Sequence, residues 1–450
     1  MNAQDLIFSL RTALLSKDKE DMAHLTRRCH PADIGAVLSS FTVEQIAQLL
    51  SLTPVEERAQ LFGYLPKELE ADIVPSLDQK ALGELFLHMA SDERADLFNL
   101  LPEEQQGRLL PVLAKAERED IRKLAAYEED KVGSVMSSEY ALVDAKRTAK
   151  EGIAQLRKAA PDTETIYQAY VVDSERRLVG TVSLKDLIMA NEDAIIGDFM
   201  TRDPVYVKAD APREVASQLI AKYDLIALPV TNGGDKLVGI VTYDDAMDVA
   251  AEEATTDFRK VGAVSEIVGN IKDASINLLY RKRVFWLVLL VFGNIFSGAG
   301  IAYFEDTIEA YIALVFFLPL LVDSGGNAGS QAATLMVRAM ATGEVMIKDW
   351  AKMLGKEFIV AGLLGLTMAL AVSTLGFWRG GPEIALVVAL TMQIVVVVGS
   401  VIGMSLPFLL SRFKLDPAAA SAPLITSIAD ACGVIIYFAM ATWILDIPVG

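Results

Sequence analysis

The chain has 450 residues, with 41 Lys+Arg against 59 Asp+Glu (formal net charge −18), 52% hydrophobic residues and a mean hydropathy of +0.36. Residues 271–450 hold 11 basic and 12 acidic side chains, which leaves 30 basic and 47 acidic, a net −17, in the part before them. So acidic a leading part argues against nucleic acid or anionic headgroups as partners and for cations, while the near-neutral apolar remainder reads as a membrane part.

Two distant cysteines, Cys29 and Cys432, give neither a disulfide framework nor a Cys/His zinc pattern. Met1 to Leu15 lacks a long apolar core followed by a small-residue cleavage site, so no cleaved signal peptide is expected and the soluble part is expected in the cytoplasm.

Residues 1–130 read as short amphipathic helices punctuated by Pro31, Pro54, Pro66, Pro75, Pro102 and Pro111. Ala59–Pro66 (AQLFGYLP) and Ala95–Pro102 (ADLFNLLP) align residue for residue. Each unit is too small to bury its own apolar stripe, so a stacked superhelix is expected. Asp92 and Asp96 share a helical face, which reads equally well as an ordinary solvated surface.

Residues 131–245 switch to short β-branched runs between helices. Three landmarks recur in order: Gly133–Met136 (GSVM) with Gly197–Met200 (GDFM), Ala169–Asp173 with Ala227–Thr231, and Leu178–Asp186 with Leu237–Asp245. This tandem duplication resembles a pair of CBS domains. The resemblance implies an adenine-nucleotide (ATP) site, with Ser183, Asp186, Thr242 and Asp245 in two Gly-x-x-Ser/Thr-x-x-Asp signatures.

A connector, 246–280, follows. Asp244, Asp245, Asp248, Glu252, Glu253 and Asp257 come before the first base, Arg259. As a helix this places like charges four apart, each pair costing about 0.2–0.5 kcal/mol. It reads either as a solvated linker or as a segment whose docking depends on a divalent cation.

Residues 281–450 admit five spans: Val284–Tyr303, Ala310–Ala333, Phe358–Phe377, Ile384–Leu410 and Pro423–Leu445. Arg281–Arg283, then Arg338, Lys348, Lys352 and Lys356, then Arg412 and Lys414 fall on one side, and only Arg379 on the other. The N-terminus is therefore expected inside and the C-terminus outside. In the last span Thr426, Asp430, Gly433 and Tyr437 share one face, and in the second Asp323, Asn327, Gln331, Thr334 and Arg338 do. A carboxylate at membrane depth is either hydrogen-bonded between helices or a cation ligand in a permeation path, and the path is expected. The glycines from Gly325 to Gly329 suit close helix packing or a local break, and Gly403 and Pro407 could loosen the fourth span. No base lies deep in a span, and the ligands on offer are hard oxygens, which suits Mg²⁺, Mn²⁺ or Ca²⁺ and disfavours an anion.

The order of parts, with the Tyr127–Met136 junction, Gly325-Gly-Asn-Ala-Gly and Asp416-Pro…Pro423-Leu-Ile-Thr-Ser-Ile-Ala-Asp430, resembles the MgtE family of magnesium transporters over essentially the whole chain. The fold implied is a multidomain membrane protein: an N-terminal α-helical superhelix (1–130), an α/β tandem CBS pair (131–245), a connector or plug helix (246–280) and a five-helix α-helical transmembrane domain (281–450). The function implied is that of a homodimeric, non-enzymatic Mg²⁺ channel in the bacterial cytoplasmic membrane, among membrane lipids and without nucleic acid, shut by cytoplasmic Mg²⁺. Transport of Mn²⁺ or Co²⁺, and less so of an anion, is the alternative. The same resemblance assigns Asp430 to the pore, with Asp323, Asn327, Gln331, Thr426 and Gly433 lining it, and Asp416 to its cytoplasmic mouth. It assigns Asp92, Asp96, Glu214, Asp224, Asp245, Asp248, Glu253 and Asp257 to sensor sites. Thr256 stands where some relatives carry a further acid.

Overall fold

The structure is a computed structural model that describes residues 2–262 and 275–446. It divides into two compact units, Met1–Ala251 and Glu252–Gly450. The connector expected at 246–280 crosses that division, and its residues 263–274 lie outside the described part.

The first unit opens with ten short helices from Ala3–Ser16 to Lys115–Leu124. Most of their contacts join a helix to the next but one, such as Val55–Gly63 with Gln79–His88 and Ser91–Leu100 with Lys115–Leu124, which is the pattern of a stack. Side chains of Asn2, Asp18, Thr42 and Asp78 cap helix N-termini. Pro54, Pro66 and Pro102 occupy the same position on three others, where no helical N–H is needed. The aligned repeats bury equivalent residues, Ala59, Leu61 and Phe62 in one and Ala95, Leu97 and Phe98 in the other.

Two sheets follow. Strands β1 (Tyr140–Leu142), β2 (Thr165–Val172), β3 (Leu178–Ser183) and β4 (Thr201–Arg202) pair in that order; β5 (Val207–Lys208), β6 (Ala227–Thr231) and β7 (Leu237–Thr242) form the second sheet. The duplication extends to register, with Val171 opposite Gly180 and Val230 opposite Gly239. The leading segments are exchanged between the two. A Cβ on Gly239 would lie 2.7 Å from Met136 Sδ, and one on Gly180 would lie 2.8 Å from Met200 Sδ. Each methionine of the recurring motif therefore fills the notch made by the other repeat's glycine, which ties the two sheets into one body.

The second unit is helical. Ile276–Tyr303, Ile347–Arg412 and Ala422–Ile444 are long and apolar enough to cross a membrane. The Ala313–Ala341 helix, 29 residues and about 43 Å long, is less apolar because Asp323–Asn327 interrupts it. Ile276–Tyr303 is broken at Asn294. The longest stretch reverses at Gly381 (φ 83°, ψ −173°), a backbone position that favours glycine, just before Pro382. Its halves run antiparallel: Trp350 Nε1 donates to Ser405 Oγ (3.4 Å) and Gln393 Nε2 to the Gly362 carbonyl (3.2 Å), while Gly376 abuts Ala385.

Contacts fix the other directions as well. Gly326 meets Thr426 and Gly433 meets Val322, so the Ala313–Ala341 and Ala422–Ile444 helices are antiparallel. Gly325 and Gly329 meet Gly399 and Gly403 in rising order, so Ala313–Ala341 runs parallel to the 382–412 half. A Cβ on Gly403 would stand 1.9 Å from the Gly329 carbonyl oxygen and one on Gly399 2.2 Å from that of Gly325, so these backbones touch. The glycines thus serve close approach within continuous helices. Neither the Gly325–Gly329 run nor Gly403 and Pro407 breaks its helix.

Candidate functional site

In the first unit, four acids from three elements converge. Asp92 and Glu93 open the Ser91–Leu100 helix, Glu164 precedes β2, and Asp245 lies in the first turn of the connector helix Tyr243–Val261. Burial, then the charges of Asp245, Glu164 and Glu93, push the Asp92 carboxyl well above the usual range. Burial raises Glu93 to about 7, reinforced by Asp245 and Asp96 and opposed by a backbone hydrogen bond. Burial raises Glu164 to about 7, with Asp245 and Glu139 next in effect. Asp245 rises to about 6, again by burial first, although the Thr242 hydroxyl donates to it.

Hydroxyls link the acids: Ser91 Oγ and Ser137 Oγ are 3.0 Å apart, and Ser137 reaches Glu164 Oε2 at 3.4 Å. Arg94, beside them, is committed to Glu139. Asp92 Oδ1 is buried with no hydrogen-bond partner. Among the described residues no three of the His, Cys, Asp and Glu side chains close into a direct metal cage. One orphaned carboxylate oxygen among acids spaced more loosely suits an ion that keeps its waters, as Mg²⁺ does.

Of the sensor residues expected from sequence, the fold brings Asp92 and Asp245 together. Asp96 instead pairs with Lys67 (2.5 Å). Glu214 and Asp224 sit at opposite ends of the Arg213–Tyr223 helix, about 15 Å apart. Glu214 accepts from Gln218 Nε2 (2.9 Å), and Asp224 is an exposed left-handed C-cap (φ 51°). Asp248 is exposed on the connector helix, with Glu253 and Asp257 half-buried further along it. Glu93 and Glu164 were not foreseen. Glu93 only adjoins Asp92 in sequence, and nothing local marks Glu164.

The two CBS signatures form helix caps. Ser183 Oγ donates to Asp186 Oδ2 (2.6 Å) while the Asp186 N–H donates back to Ser183 Oγ (3.0 Å), and the Thr242 hydroxyl likewise donates to Asp245 Oδ2.

In the second unit Thr426 and Asp430 face the Ala313–Ala341 helix across Gly326, where a Cβ would lie 3.5 Å from Asp430 Oδ1. Asp430 is half-buried, and its Oδ1 has no hydrogen-bond partner. Further along the same face Gly433 is buried against Val322, and the buried Tyr437 hydroxyl donates to the Leu314 carbonyl (2.9 Å). Packing therefore accounts for Gly433 and Tyr437 but leaves Asp430 unsatisfied. Ser330, between Asp430 and the helix end, lies 3.4 Å from Thr426 Oγ1. Asp323, Asn327, Gln331, Thr334 and Arg338 form an exposed polar stripe down an otherwise apolar helix, and Asn327 Nδ2 donates to Asp323 Oδ2 (2.8 Å). Asp416 N-caps the turn Pro417–Ala419 through Oδ1 (2.8 Å from Ala418 N) and pairs with Lys260 through Oδ2.

Comparisons with known proteins bear on every part. Residues 318–440 match the MgtE divalent cation transporter family, 29–130 the MgtE intracellular N domain, and 132–193 and 196–252 the CBS domain. The magnesium transporter MgtE of Thermus thermophilus is 40% identical over 329 residues, 73% of each chain. That of Bacillus subtilis is 31% identical over 328 residues, 73% of this chain and 72% of the relative. Among solved structures, the soluble part of a magnesium transporter superposes with a TM-score of 0.53 at 29% identity, covering 56% of this chain and all of that one. The cytosolic domain of the Mg²⁺ channel MgtE in complex with ATP gives 0.51 at 36% identity, covering 54% and 99%. The chain belongs to the MgtE family of divalent cation transporters.

Proposed function

We propose that this protein is a Mg²⁺ channel that imports magnesium across the cytoplasmic membrane as a homodimer and is shut by Mg²⁺ on its cytoplasmic side. The observation that carries the reading is Asp430: a carboxylate in an apolar helix, beside a glycine, with one oxygen lacking a partner. An unpaired acid at that depth is costly unless water or an ion meets it. The exposed stripe of Asp323, Asn327 and Gln331 offers a second wall of hard oxygens, with Thr426 and Gly433 beside Asp430. Two such chains about a twofold axis would present paired carboxylates to a hydrated ion. Four alternating helix directions support a threading of five spans, with the first unit inside and the C-terminus outside.

The shutter is the connector helix. Without metal, the acids around Asp92 and Asp245 repel and hold the N-terminal stack off the CBS pair. Mg²⁺ neutralises them, and Asp96, Glu214, Asp224, Asp248, Glu253 and Asp257 add weaker sites that draw on neighbouring elements or a second chain. Ser183, Asp186, Thr242 and Asp245 suit the ribose and phosphates of ATP as a regulatory ligand, and the solved cytosolic domain of a relative is in complex with ATP.

Growth rescue of a magnesium-starved transport mutant by the wild type, but not by Asp430→Ala or Asp430→Asn, tests the path. Parallel uptake assays with Mn²⁺, Co²⁺ and chloride test selectivity. Undiminished Mg²⁺ uptake by Asp430→Ala would overturn the reading.

A further inference from the structure

From its sequence the connector reads as an acidic segment, either a solvated linker or one whose docking depends on a divalent cation. The contact it makes in the second unit is of another kind. Lys260, in its last turn, places Nζ on Asp416 Oδ2. Asp416 cannot swing away freely, because its other oxygen caps the Pro417–Ala419 turn. Asp257, one turn before Lys260 on the same helix, is half-buried. The ammonium thus bonds one carboxylate, Asp416, and sits one helical turn from a second, Asp257. Val261, the next residue, packs against the apolar cluster of Ala333, Val337, Ala418, Ala420 and Ile425, so the ion pair is one half of a seated contact.

We infer that Lys260 is a tethered counter-cation, doing for Asp257 and Asp416 what a divalent ion would otherwise do, so that the C-terminal end of the connector stays docked at the membrane unit without metal. The proposal rests on the gating reading above and refines it. Asp257 is then served by Lys260 in place of the weaker metal site named above, and metal acts at the other end of the helix, around Asp245, while the Asp416 end serves as a pivot. A lysine reaches this point because it follows Asp257 by three residues, on the same helical face. At the helix C-terminus its charge is also favoured by the backbone dipole.

The test uses the full chain in lipid nanodiscs. A carbodiimide should join Lys260 to Asp416 through an amide, detected by peptide mass spectrometry, as readily in EDTA as in Mg²⁺. A cross-link that requires Mg²⁺ overturns the proposal. Limited proteolysis of the connector against Mg²⁺ concentration supplies the second arm. Both partners are about 40% exposed (39% and 41%), so solvent screening keeps the effect modest. Lys260→Gln should raise the Mg²⁺ midpoint for protection about two- to fivefold, and Lys260→Arg should restore the wild-type midpoint. A Lys260→Gln midpoint equal to wild type also overturns it. If the wild type shows no Mg²⁺-dependent protection while the EDTA cross-link forms, the gating reading fails and the metal-free contact stands.

Discussion

The acid cluster makes a pH prediction whose sign and size follow from its geometry. Glu93 moves from an ordinary 4.5 to about 7 and Asp245 from 3.8 to about 6, in both cases chiefly by burial. A carboxyl whose pKa is higher folded than unfolded costs nothing below its unfolded value, where both states are protonated. The cost grows as pH rises through the interval and is complete above the folded value. For Glu93 that window is 4.5 to about 7, and for Asp245 it is 3.8 to about 6. Fully counted, each shift would be worth about 3 kcal/mol. Partial exposure and coupling between the groups cut the local cost to about 1 kcal/mol, a fivefold change in an opening equilibrium. Hydrogen exchange in peptides covering Ser91–Leu100, corrected for intrinsic rates, should therefore show about fivefold more opening at pH 8 than at pH 5.5 in EDTA. Saturating Mg²⁺ should remove the difference, and Glu93→Gln should flatten the metal-free slope. Equal protection at both pH values in EDTA, or a Glu93→Gln slope identical to wild type, would refute the account.

Gly403→Ala and Gly399→Ala drive a methyl into the facing carbonyls of Gly329 and Gly325. Each should cost about 1–3 kcal/mol, read as a fall in the Tm of the solubilised protein, whereas Gly362→Ala, which meets nothing within 4 Å, should not. Tyr437→Phe removes the hydroxyl that holds the Leu314 carbonyl and should cost about 1 kcal/mol in the same assay. Ser183→Ala takes away a capping box, so a loss of about 1 kcal/mol in the CBS pair should accompany any change in ATP affinity, measured by calorimetry.

Periodicity and repetition made much of this legible beforehand. The alignment of Ala59–Pro66 with Ala95–Pro102 implied a stack, and the three recurring CBS landmarks implied two like sheets. A repeat states equivalence without saying which copy packs on which, so the seating of Met136 on Gly239 and Met200 on Gly180 could not be read off. Similarly, a spacing of four placed Thr426 and Asp430 on one face but not against Gly326, which depends on the neighbouring helix. Glu164 joined Asp92 and Asp245 through tertiary approach alone, Glu93 came in beside its neighbour Asp92, and nothing in a segment defined by its acids marks Lys260. Asp96 shows a related limit: its helical face could be read from the spacing, but not the lysine 29 residues earlier that pairs with it.

A metal-operated shutter has to separate contacts that set its resting position from contacts that respond. Moving a two-state balance from 1:99 to 99:1 takes about 5.5 kcal/mol of differential binding. The Lys260–Asp416 pair cannot supply it, because an ammonium tethered in place is present at every Mg²⁺ concentration and stabilises by at most about 1 kcal/mol. Response has to come from acids whose charge the protein leaves uncompensated. Around Asp92 the neighbouring arginine pairs with Glu139, and Lys67 pairs with Asp96. The cluster is thus short of positive charge by construction, and Asp92 keeps a buried oxygen without a donor. Under the proposed gating, several such weak sites filled together are required, since none alone approaches the total. A steep dependence on Mg²⁺ then follows from the placement of lysines and arginines as much as from that of the acids.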